Sequence, residues 1–213
     1  MPTNRTAELQ LRGRAGTLQG RVYWPGPSSP RPARLLVFWT VADDGSWCQE
    51  LSASAGLVVL TVTCGRPYPA DLDDAVTVAE WAAENMARLG ADPRELLVGG
   101  TGPGGTLAAA VTLHAHAARW PAFSRQVLVC ASPVERMPPS LAGVAPATVV
   151  TVENDPGGDE GRYATLLRRA GVAVDELRYA ASDRASAVRI RTGRPLLADL
   201  GVALSTHPGD YPP

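Results

Sequence analysis

The residues best suited to chemistry gather around one turn. The stretch LLVGGTGPGGTLAAAV, Leu96 to Val111, passes from an apolar run through a cluster of glycines into a helical pattern. Strand–glycine–helix turns of this shape do two kinds of work in enzymes. They present a nucleophile at the sharp bend, or they wrap backbone N–H groups around a phosphate. Here the middle of the turn is Gly102, which has no side chain, and the next residue is Pro103, which has no backbone N–H. Thr101 offers a hydroxyl one position early. The phosphate reading lacks the Lys-Ser/Thr pair that follows the glycines of a P-loop. A second set of groups, Asp43, Asp44, Asp155, Asp183 and Arg184, lies in other loops. Carboxylates beside a guanidinium can move protons without a hydroxyl nucleophile. His114 and His116 follow the turn at a spacing that puts them on different helix faces, and His207 lies near the end of the chain. Cys48, Cys64 and Cys130 are too far apart for a usual ligand set and read as buried reduced thiols. No metal and no cofactor is expected.

These groups need a frame, and the apolar pattern supplies one. RLLVFWTV and LVVLTVTC are near-continuous apolar runs, as expected of parallel strands buried on both faces. GTLQGRVYWPG, ELLVGG, RQVLVCAS, ATVVTVEND and VAVDELRYA read as further strands. Between them, helices are predicted over SWCQELSASAG, DLDDAVTVAEWAAENMARLG, GTLAAAVTLHAHAARW, DEGRYATLLRRAG and RPLLADLGVAL. In the second of these, Leu72, Ala75, Val76, Ala79, Ala83 and Met86 make the expected apolar stripe, and Gly90 the stop. Strands alternating with helices predict a doubly wound, mostly parallel sheet with helices on both faces. One domain over residues 1–213 accounts for the pattern, with a core of about 16–205 and a loose tail at 206–213. Ligands of such sheets bind at the carboxyl ends of the strands, where the glycine turn, Asp43, Asp44, Asp155, Asp183 and Arg184 are expected.

Composition narrows the partners. The chain is 45% hydrophobic with a formal net charge of −1, and it has no run of like charge. A nucleic-acid face, which leaves a clustered basic footprint, is not expected. Every basic residue is Arg, a bias that points to a GC-rich, actinobacterial genome. The N-terminal stretch lacks the apolar core of a signal peptide, and no apolar run matches a membrane span. The expectation is a cytoplasmic protein that touches no membrane.

Three separated motifs carry a family resemblance. DPRELLVGGTGPGGTLAAAVTL resembles the D-P-x-R…G-G-D-S-A-G-G-N-L-A pattern of the hormone-sensitive-lipase-like esterases of the α/β-hydrolase fold. Asp92, Pro93, Gly99, Gly100, Gly104, Gly105, Leu107 and Ala108 match it. YPADLDDAVTVAEW is similar to the family's F-P-A-A-L-D-D-A helix, and ENDPGGDEGRYATLLRRAG to its D-P-L-R-D-E-G-x-x-Y-A segment. The likeness runs from about Arg34 to Arg184. It implies an α/β-hydrolase fold in which a Ser attacks an ester, a His takes its proton, an Asp orients the His, and backbone N–H groups bind the oxyanion. Carried over, the Ser, Asp and His positions read Gly102, Asp155 and Arg184. The residue after the Ser, whose N–H is an oxyanion donor, reads Pro103. Where the family has H-G-G-G, this chain has TVADDGSW, with Asp43 and Asp44 near the expected oxyanion. Arginine stays protonated and is no ordinary general base. Asp155, without a His to orient, either caps the following helix, pairs with Arg184 or serves a new site. The family's helical lid has no counterpart between VCASPVERM and PATVVTV, which implies an open pocket.

Three readings follow. The first is a non-hydrolytic pseudoenzyme that binds a small molecule or a protein partner, a second copy included. The second is a repurposed enzyme doing epimerase, cyclase or lyase chemistry with Asp43, Asp44, Asp155, Asp183 and Arg184, by fold-level analogy with natural-product pathways. The third is a weak esterase acting through a residue such as Thr101.

Overall fold

A computed structural model describes residues 5–14, 16–26, 33–41, 45–63, 69–132, 134, 137–154, 160–191 and 193–205. In chain order the elements are β1 (Thr6–Arg12), β2 (Thr17–Tyr23), β3 (Ala33–Thr40), α1 (Gly45–Ala55), β4 (Val58–Thr63), α2 (Leu72–Asn85) and β5 (Ala91–Thr101). They continue with α3 (Pro103–Ala118), β6 (Arg125–Val129), β7 (Ala147–Val152), α4 (Glu160–Arg169), β8 (Val174–Tyr179), α5 (Arg184–Arg191) and α6 (Arg194–Ser205). The strands form one eight-stranded sheet in the order β1-β2-β4-β3-β5-β6-β7-β8. From β4 to β8 every pairing is parallel, while β1–β2 and β2–β4 are antiparallel.

Burial on both faces follows from the two-residue period of a strand. Along β3, Leu35, Val37 and Trp39 enter one core, and Leu36 and Phe38 enter the other. The first core is closed by α2, α3 and α4 through residues such as Val78, Leu107, Val111, Ala164 and Leu167. The second is closed by α1 and α6 through Leu51, Leu196, Leu200 and Leu204. Phe38 stacks on Trp47 of α1 with ring centroids 5.2 Å apart. Apolar side chains on both sides thus leave neither face of the central strands to water, which is why these runs are mostly apolar.

Several expectations need correction. The sheet begins earlier than the core of about 16–205 anticipated. β1 pairs with β2 residue by residue, from Thr6 opposite Tyr23 to Arg12 opposite Thr17. Its sequence, TAELQLR, alternates apolar and polar residues, but its apolar face is small and only half-buried at Ala7 and Leu9. α2 stops at Asn85, and the chain turns through residues 86–90 to Gly90, at φ 77°. Its buried face is centred on Ala75, Val78, Ala79 and Ala82, with Leu72, Val76 and Ala83 at the margin. α5 occupies a segment expected to be loop, and β5 starts before ELLVGG, at Ala91. Cys48 and Cys130 are buried, and Cys64 lies outside the described residues. Among the described residues no helix is long and apolar enough to cross a membrane.

A candidate site at the strand–helix turn

The turn between β5 and α3 is a single residue. Gly102 has φ 50° and ψ −121°, and the strand ends and the helix begins on either side of it. This conformation belongs to the left-handed side of backbone space, which glycine enters without a Cβ penalty. Hydrogen bonds hold it there. The Gly102 N–H donates to the Val129 carbonyl at 2.8 Å, and the Gly102 carbonyl accepts the Thr106 N–H at 3.1 Å. The Thr106 hydroxyl donates to the Ser132 carbonyl at 3.0 Å, so the end of β6 is tied to the first turn of α3. Cys130, between these contacts, is fully buried and sits at φ 50°. Pro103 opens α3, the helix position where a missing N–H and a fixed φ cost least.

The neighbouring glycines are required by close backbone approach. A Cβ on Gly104 would lie 2.1 Å from the Trp39 carbonyl oxygen, and one on Gly100 would lie 2.4 Å from the Gly104 carbonyl group. A Cβ on Gly105 would lie 2.8 Å from that of Ala131. Gly102 is the exception, because a Cβ there would meet no atom of the described residues within 4 Å. β3, β5, β6 and α3 together hold the apex of the turn, where Gly102 is buried and Pro103 exposed, above a tightly packed base.

Thr101, Gly102 and Pro103 come together at this apex. Thr101 is half-buried as the last residue of β5, and Pro103 is exposed. Asp183 and Arg184 lie at the carboxyl end of β8, at the start of α5. The Ser186 N–H donates to Asp183 Oδ1 at 2.8 Å, the geometry of a helix N-cap. That bond holds the Asp183 carboxyl below the usual carboxylate range. Arg184 is the exposed first residue of α5. Asp43, Asp44 and Asp155 lie outside the described residues, as does His207. His114 is exposed on α3, whereas His116 is half-buried beside Gly143, as their spacing predicted. Among the described residues no group of three or more His, Cys, Asp or Glu could hold a metal ion.

Asn154 is a positioning residue that sequence reasoning missed. It sits at φ 60° just after β7, and its Nδ2 donates to the Ala181 carbonyl at 2.7 Å. With the Glu153 N–H bonded to the Tyr179 carbonyl at 2.9 Å, it clamps together the loops that follow β7 and β8. Its position directly before Asp155 and its tolerance of left-handed backbone were the available signals.

Comparison with known proteins bears on the same segment. The family described as alpha/beta hydrolase fold matches residues 36–140, which include the turn. Esterase LipI of Mycobacterium tuberculosis is 32% identical over 168 residues, spanning 71% of this chain and 52% of the relative. Carboxylic ester hydrolase LipN of the same organism is 29% identical, over 82% of this chain and 62% of its own length. The chain thus spans about half to two thirds of the curated relatives it matches. Among solved structures, esterase LipW of Mycobacterium marinum superposes with a TM-score of 0.79 at 25% identity, covering 95% of this chain and 81% of the other. A Pyrobaculum calidifontis esterase superposes with a TM-score of 0.80 at 23% identity, covering 94% and 85%. From the glycine turn, the eight-stranded sheet around it and these likenesses, the chain has an α/β-hydrolase fold and is similar to the hormone-sensitive-lipase-like esterases.

Proposed function

We propose that this protein is a non-hydrolytic member of the family, one that binds a small molecule or a protein partner over the β5–α3 turn. The observation that carries the reading is the chemistry of two consecutive residues. Gly102 keeps the bend but carries no nucleophile, and Pro103 brings no N–H for an oxyanion. Arg184, at the position matched to the family's His, adds a third departure, since a guanidinium does not take a proton from a nucleophile. Residues 130–146 between β6 and β7 contain no helix among those described, which supports a site without a lid there. The buried thiols of Cys48 and Cys130 suit a reducing compartment, and we assign the protein to the cytoplasm.

Repurposed acid–base chemistry is less well supported, because the Asp183 carboxylate is engaged by the Ser186 N–H at the start of α5. The names of the relatives favour ester hydrolysis instead, and this alternative sets the test. The purified chain is expected to hydrolyse p-nitrophenyl acetate and butyrate no faster than buffer and to take no covalent label from a fluorophosphonate. Turnover above buffer that a substitution at Thr101 or Arg184 abolishes would overturn the proposal. Native mass spectrometry of the protein against host metabolites identifies the ligand, and its mass in solution reports a second copy.

A further inference from the structure

We draw no further inference here: the strongest candidate, the surface cleft that runs between α2, α3 and the β6–β7 connection past His114, carries nothing, because Asp73 and Glu80 balance the charge of Arg12 and Arg14 at its polar end and nothing in the structure shows what covers its apolar end at Leu113, Val134 and Met137.

Discussion

Replacing Gly102 with Ser separates the architecture of the turn from its chemistry. A serine Cβ at this position would touch none of the described residues within 4 Å, so they impose no steric cost. The cost lies in the backbone, because φ 50° and ψ −121° are held by hydrogen bonds from both sides of the turn. A non-glycine residue in such a region costs about 1–3 kcal/mol. Loss of glycine's freedom in the unfolded chain returns about 0.4–1 kcal/mol. The net expectation is a loss of roughly 1–2 kcal/mol, and Gly102→Ala should lose the same amount. With a urea slope of about 2 kcal/mol/M, the unfolding midpoint drops by roughly 0.5–1 M. Tryptophan fluorescence in a urea series measures it. In parallel, Gly102→Ser is assayed on p-nitrophenyl acetate and is expected to stay at the buffer rate. The new hydroxyl would meet neither an oxyanion N–H from Pro103 nor a base at Arg184. Adding Pro103→Ala supplies the N–H but still no base, so the double variant should also remain inactive. Appreciable turnover by the single variant would refute the oxyanion argument, and an unchanged midpoint would refute the strained turn.

Other substitutions probe the frame. Gly104→Ala should abolish cooperative folding or cost well over 3 kcal/mol, since its Cβ would meet the Trp39 carbonyl oxygen at 2.1 Å and neither backbone can yield cheaply; thermal and urea unfolding report it. Arg125→Ala removes a 6% exposed guanidinium that bonds Asp175 and the Thr148 hydroxyl. Because Asp175 is 38% exposed, the loss should fall near or below the lower end of the buried-pair range, about 2–3 kcal/mol by urea unfolding, with Arg125→Met losing less. Asp183→Ala should lower the melting temperature at neutral pH by removing the cap of α5. The folded-state pKa of Asp183 is depressed, so its contribution is present above the unfolded value of about 3.9 and is lost as pH falls through the folded value. The melting-temperature gap between wild type and variant should accordingly shrink below about pH 4, and a gap that persists at pH 2 would argue against the cap.

Legibility of the sequence tracked how much of each signal was local. β3 and β4 were readable because burial on both faces demands near-continuous apolar runs, whatever lies beside them. α3 was readable from the glycines and the helical pattern after the turn, although it starts at Pro103, two residues before the expected Gly105. β1 was not identified although TAELQLR carries the two-residue alternation of a strand, because its apolar face is only three residues long and the strand is held by its ladder to β2. α5 was hidden for a related reason. Its segment is rich in Ser and Arg, and its start becomes definite only when Asp183 bonds Ser186. The same bond moved Asp183 from a candidate acid–base group to a helix cap. The stripe on α2 shifted toward Val78 and Ala82 because the sheet, not the helix's own period, decides which flank is covered.

The chemistry of the turn was in the sequence alone. Absence of a side chain at Gly102 and of an N–H at Pro103 are covalent facts that no folding alters. The tertiary structure decided what those facts mean in space. It set Gly102 on the left-handed side and closed the room beside Gly104 with a carbonyl from Trp39, sixty-five residues earlier in the chain. It also joined the loops after β7 and β8 through Asn154. Contacts of this range depend on where whole strands come to lie in the sheet, so the residues they constrain carry the consequence without displaying its cause.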